Sequence, residues 1–116
     1  MTVPDCLFCK IAAGEIPATL VHLDDKLVAF RDINPQAPVH ILLIPREHLS
    51  SLDEARDDHR DLLGGLFLAA RDVARKEGLV EGGYRTVVNV GEGAGQTVHH
   101  LHLHVLGGRP LGWPPG

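Results

Sequence analysis

The chain has 116 residues, 44% of them apolar and 22% charged, with a formal net charge of −4. That length predicts one domain, residues 1–116, able to bury about two-thirds of its unfolded surface, and the composition excludes a disordered or collagen-like chain. With no Lys/Arg run, no apolar run near about 18 residues and no charged start leading into an apolar segment, the sequence argues against nucleic-acid and membrane partners and for a cytoplasmic location.

Residues 5–14 read as a short helix, with Leu7, Phe8 and Ile11 on one side and Gly14 near its end. It contains the only two cysteines, Cys6 and Cys9, whose spacing suits a metal or redox pair better than a secreted disulfide framework. Pro17 ends the helix. Residues 19–23 and 27–31 read as a hairpin around Asp24-Asp25-Lys26, and residues 32–38, with two prolines, as a loop. Residues 40–44 form an apolar strand stopped by Pro45. Ser51 and Glu54 have capping-box spacing for another short helix.

Residues 58–77 give the clearest helix. Leu62, Leu63, Leu66, Phe67, Ala70, Val73 and Ala74 follow the 3.6-residue period, and Gly78 supplies a stop. Gly64-Gly65 contradicts it locally, since each glycine costs about 1 kcal/mol against alanine. The pair is either a tolerated weakness or a place where a partner subunit approaches the backbone. Residues 85–90 and 101–106 read as two further strands around a glycine loop. About five strands with one long and one or two short helices, and no βαβ alternation, predict an α+β fold with a mainly antiparallel sheet.

Histidine is the unusual component: eight residues, four of them between His99 and His104. His100, His102 and His104 alternate with Leu101, Leu103 and Val105. On a strand the three imidazoles would share one face at steps of about 6.5–7 Å, with the apolar residues in the core. Two chemistries fit the pattern: shared metal binding, or nucleophilic and acid–base catalysis by imidazoles partly neutral at pH 7. Just upstream lie Asn89, Gly91, Gly93, Gly95, Gln96 and Thr97, with no Lys or Arg from Thr86 to Leu106. Closely spaced glycines and neutral donors make a plausible phosphate cradle without fixed cations.

His100-Leu101-His102-Leu103-His104-Val105-Leu106 resembles the motif of the histidine triad (HIT) superfamily. The resemblance to its Hint branch extends over nearly the whole chain. It includes Phe30-Arg31-Asp32-Ile33-Asn34-Pro35-Gln36-Ala37-Pro38, residues 40–45, Gly83-Tyr84-Arg85, Val87-Val88-Asn89, Gly95-Gln96-Thr97, Leu106-Gly107-Gly108-Arg109 and Trp113-Pro114-Pro115-Gly116. It implies a HIT-like fold and a hydrolase acting on the P–N bond of purine nucleoside 5′-monophosphoramidates. On this basis His102 would be the nucleophile, forming a nucleotidyl-histidine intermediate. His104 would bond the phosphate, His40 would complete the cluster, and the carbonyl of His100 would orient the nucleophile's ring. Asn89, Gly95, Gln96 and Thr97 would contact phosphate, and Asp32 the ribose hydroxyls. Leu7, Phe8, Ile11, Phe30, Ile33 and Leu42 would line the base pocket.

The resemblance also implies a homodimer, with Gly64-Gly65 at its interface and Trp113 either reaching the other subunit's site or covering core. It further implies that no cofactor is required for catalysis. Some HIT relatives carry a structural zinc, and its ligands here would be Cys6, Cys9, His48 and His100. The competing expectations are a Fhit-type dinucleoside polyphosphate hydrolase, a metal-dependent hydrolase using the histidines as ligands, and a nucleotide-binding module without significant turnover.

Overall fold

Period-two alternation on the central strands builds a sheet with two different faces. The computed structural model describes residues 3–116. Its strands are β1 (Leu20–Leu23), β2 (Leu27–Arg31), β3 (Val39–Pro45), β4 (Tyr84–Val87) and β5 (Leu103–Gly107). They form one antiparallel sheet in the order β1-β2-β3-β5-β4. The helices are α1 (Leu7–Ala12) and α2 (Arg60–Lys76), with short 3-10 turns at Leu52–Glu54, Asp57–His59 and Glu92–Ala94. The fold is α+β, as expected. Among the described residues no helix is long and apolar enough to cross a membrane.

On one face, Leu27, Ala29, Ile41, Leu43, Leu103 and Val105 meet Leu66, Ala70, Val73 and Ala74 of α2. On the other, Val28, Phe30, Leu42 and Ile44 lie against Phe8 and the two cysteines of the α1 region. β3 is therefore buried on both faces, which is why it is apolar throughout except for His40. The six-residue α1 covers only part of its face. The uncovered part belongs to the residues pairing there: His40 opposite Leu106, and Leu42 opposite His104.

Several expectations shift. β5 begins at Leu103, two residues later than predicted, so His100 and His102 precede the strand. β4 stops at Val87 rather than residue 90. The Ser51–Glu54 capping box does not form: Ser51 makes no side-chain cap bond, and the turn closes through the Glu54 N–H to the Ser51 carbonyl at 3.1 Å. The long helix is divided into a 3-10 turn and α2 because His59 is held inward, accepting the Arg56 N–H at Nδ1 and meeting Glu47 at 2.9 Å. Phe67 leaves the predicted core stripe. It is 50% exposed beside Leu68, at the solvent edge of the stripe formed by buried Leu66, Ala70 and Ala74, and the space around Gly64 and Gly65 is open.

Gly108 holds the exit from β5 against the 32–38 loop. Its φ is +93°, and a Cβ there would stand 2.8 Å from the Pro38 Cβ. Gly108→Ala should lower stability to urea by about 1–3 kcal/mol through backbone strain. Gly82→Ala, without a positive φ and with nothing within 4 Å, should not.

Candidate active site

A cavity of about 270 Å³ opens on the partly covered face. Leu7, Phe8 and Ile11 of α1, Phe30 of β2 and Leu42 of β3 form its apolar wall, with Asp32 and Ile33 from the following loop. Thr97, His102 and His104 complete the lining predicted from sequence. Ile16, Pro17, Ala18, Arg31 and Val98 also line it and were not anticipated. The apolar pair Ile16 and Ala18 flanking a proline at a helix exit was the available signal, because a solvated connection has no need of it. A larger cavity of about 540 Å³ is bordered by His59, but both nitrogens of that imidazole already have partners.

The hydrogen-bond network fixes the histidine tautomers, because backbone groups have only one role each. The His100 carbonyl can only accept, so His102 donates from Nδ1 at 2.7 Å and keeps its lone pair on Nε2. The Gln36 N–H can only donate, so His40 accepts at Nδ1 at 3.0 Å and carries its proton on Nε2. That Nε2–H points to His104 Nδ1 at 2.9 Å, with an Asp32 oxygen at 3.5 Å. His104 then carries its own proton on Nε2, which is buried without a partner. A buried donor with no acceptor is costly unless something else supplies one. The site therefore presents a nucleophilic lone pair on one imidazole and an unused N–H on the next, with ring centroids 5.0 Å apart. Phe8 stands edge-on to His102 at 5.1 Å and limits its rotation.

Burial holds these imidazoles neutral. It lowers His102 against the opposing bond to the His100 carbonyl, and lowers His40 against nearby Asp32. His104 falls to about 4, through burial first and then repulsion from His102 and His40. A neutral His102 is the form that can attack an electrophile.

The expected ladder of three imidazoles is a pair. His100 is fully buried, but its ring turns away from the cavity. Its Nε2–H donates to the Pro45 carbonyl at 2.8 Å, and only its own carbonyl serves His102. Gln96 is also redirected from its expected phosphate contact. Its amide donates to the Ser50 and Val98 carbonyls, its oxygen accepts the Gly91 N–H, and its backbone N–H bonds the Gly91 carbonyl. It braces the glycine loop. Asn89 is half-buried and Gly95, in the left-handed region, is exposed beside it; neither borders the cavity. Trp113 is 82% exposed and lies outside the cavity of its own chain.

His100 Nδ1 instead joins Cys6, Cys9 and His48. It lies 3.2 Å from Cys6 Sγ, 3.5 Å from Cys9 Sγ and 3.2 Å from His48 Nδ1, and Cys9 Sγ lies 3.4 Å from His48 Nδ1. Tetrahedral zinc, with Zn–S near 2.3 Å and Zn–N near 2.0–2.1 Å, needs nitrogen–nitrogen and sulfur–nitrogen separations of roughly 3.3–3.6 Å. The four donors fit such an ion. The Pro45 bond also fixes the tautomer that presents the His100 lone pair to them.

The HIT domain family model matches residues 13–111. The chain belongs to the HIT family. A HIT-like protein from Synechococcus elongatus is 56% identical over 97% of both chains. An Arabidopsis thaliana protein named adenylylsulfatase HINT1 is 53% identical over 95% of this chain and 76% of its own, which sets the chain on the Hint-like side of the family. A HIT family hydrolase from Legionella pneumophila superposes with a TM-score of 0.95 at 54% identity, covering 97% of this chain and 100% of that one.

The depressed His104 value has a measurable consequence. In the unfolded chain His104 takes up a proton near pH 6.5, whereas in the folded chain it does so near 4. Its contribution to stability is therefore fully present above about pH 6.5 and declines as pH falls toward 4. NMR titration should show the His104 ring charging near pH 4, and His104→Gln should flatten the fall in denaturation midpoint across that interval.

Proposed function

We propose that the chain is a nucleotide hydrolase that cleaves the P–N bond of purine nucleoside 5′-monophosphoramidates. The observation carrying this reading is the 2.7 Å bond that commits His102 Nδ1–H to the His100 carbonyl and leaves the Nε2 lone pair at the cavity. Attack by Nε2 forms a P–N bond to His102 as the substrate's P–N bond breaks, and the amine leaves with a proton taken from solvent. Water then attacks the same phosphorus and returns a proton to solvent, the P–N bond to His102 breaks, and the nucleoside monophosphate and the neutral imidazole are released. Two displacements replace one difficult step.

The His104 Nε2–H, without a protein acceptor, is assigned to a non-bridging phosphate oxygen, where developing charge strengthens the bond. Thr97 adds a hydroxyl at the cavity wall. Asp32 already accepts the Asn34 N–H through Oδ1 at 2.8 Å, which fixes the carboxylate assigned to the ribose hydroxyls. Phe8, Phe30, Leu42 and Ile11 form the assigned base pocket.

Charge favours a substrate with few negative charges over a dinucleoside polyphosphate. Arg31 is the only Lys or Arg lining the cavity, and its guanidinium is paired with Glu77 at 2.9 Å. Neutral donors suit one phosphoryl group better than a polyphosphate chain. The name of the Arabidopsis relative favours a second reading for the leaving group. Attack at the same phosphorus of adenylyl sulfate would expel sulfate, so the two substrates should be compared side by side.

We also assign Zn²⁺ to Cys6, Cys9, His48 and His100. Two relatives at 52–53% identity, from Brassica juncea and Zea mays, are named 14 kDa zinc-binding proteins. When bound, the ion would cross-link the start of α1 to the segments before β5 and after β3. Gly64, Phe67 and Leu68 are assigned to contact with a second copy of the chain, forming a homodimer of single-domain subunits.

His102→Ala should lower turnover of an adenosine phosphoramidate by at least about 10⁴-fold while AMP binding by calorimetry is retained. Quenched mass spectrometry of the native protein should find a nucleotidyl adduct on His102; turnover without that adduct excludes the covalent route. Phe67→Glu should shift the sedimentation coefficient from dimer to monomer, and an unchanged coefficient would remove that face from the interface.

A further inference from the structure

His100 is held by its side chain and used through its main chain, on opposite sides of the same residue. Its ring, fully buried, meets Cys6, His48 and the Pro45 carbonyl within 3.2 Å. Its carbonyl receives His102 Nδ1–H at 2.7 Å. A carbonyl inside a strand would be held by ladder bonds, but β5 starts only at Leu103. The His100 carbonyl shares a planar peptide with the Leu101 N–H, which donates to the Leu49 carbonyl at 2.6 Å, so that peptide is held from two sides, by this bond and by the anchored His100 ring. The anchor also carries the cavity wall. Cys6 caps α1 by accepting the Cys9 N–H at Sγ, and α1 places Phe8 edge-on to His102 at 5.1 Å.

We infer that Cys6, Cys9, His48 and the His100 ring are positioning residues for the reaction, and that a thiolate- and imidazole-binding cation among them sets the orientation and tautomer of His102. The link has three parts: the cation fixes the His100 ring, the ring fixes the carbonyl, and the carbonyl fixes the proton on His102 Nδ1. Loss of the cation removes one of the two holds on the His100 peptide, aims its carbonyl less well, and lets His102 populate the other tautomer, in which Nε2 carries hydrogen and has no lone pair for attack. Base, ribose and phosphate contacts lie elsewhere in the cavity, so binding is affected much less than bond formation. This rests on His102 being the nucleophile, whereas the positioning itself is read from the ring.

The test uses the full chain loaded with Zn²⁺, the same protein stripped by a chelator, and the stripped protein reloaded. Long-range ¹H–¹⁵N NMR reads the His102 tautomer, calorimetry reads AMP affinity, and rapid quench reads the rate of adduct formation. Stripping should convert a single Nδ1–H tautomer into a mixture and slow adduct formation about 10- to 100-fold, the usual range for losing a supporting partner. AMP affinity should change by less than about threefold, and reloading should reverse each effect. An unchanged His102 signature after the metal has left overturns the proposal, as does failure of the protein to take up stoichiometric zinc. If the signature changes but neither form makes an adduct or turns over substrate, the positioning stands and the hydrolase reading falls. Where stripping abolishes the far-ultraviolet circular dichroism, His100→Gln, which keeps the backbone carbonyl and withdraws the anchored ring, takes its place; a folded variant with an unaltered His102 signature likewise overturns the proposal.

Discussion

The bond from His102 Nδ1–H to the His100 carbonyl organises the rest of the site. At 2.7 Å, with a carbonyl that can only accept, it places the ring proton on one nitrogen and the lone pair on the other. Both residues sit in irregular backbone just before β5, so the bond needs support from outside the sheet. That support comes from the Leu49 carbonyl, which accepts the Leu101 N–H of the same peptide, from the Pro45 carbonyl at the end of β3, and from the Cys6, Cys9 and His48 side chains around the His100 ring. Burial beneath α1 keeps water from competing with the bond and keeps the imidazole neutral.

A second chain of bonds runs in parallel. The Gln36 N–H sets His40, and His40 sets His104. Each link follows from a group that can only donate or only accept, and the sequence ends in a buried N–H without a partner. An incomplete network is expensive in a resting fold. Here it leaves a vacant donor beside a vacant lone pair, which suits a ligand that brings its own acceptor oxygens. The two chains start from different segments, the 32–38 loop and the cluster of Cys6, Cys9, His48 and the His100 ring, and meet at the adjacent His102 and His104 rings.

The fold serves this arrangement by asymmetry. α2 closes one face of the sheet with a continuous apolar contact, while α1 closes only part of the other. The remaining gap is the cavity. The uncharged polar groups that line it are the His102 and His104 imidazoles and the Thr97 hydroxyl.

Much of this was legible in the amino-acid order. The 3.6-residue period announced α2, period-two alternation placed Leu101, Leu103 and Val105 in the core, and the spacing of the histidines identified the region of the site. These are local properties, because periodicity states which side of an element a residue occupies. Periodicity does not extend past the end of a ladder. The His100 ring turns toward Cys6, 94 residues earlier, and Gln96 is drawn inward by the Ser50 carbonyl. Phe67 is exposed because the sheet meets the Leu66–Ala70 side of α2. The sequence alone determined the family motif, the order of elements and the residue types available for chemistry. Tertiary structure decided which nitrogen carries each proton, which histidine serves through its carbonyl, and where the cavity opens, because those outcomes depend on hydrogen-bond partners brought together from distant parts of the chain.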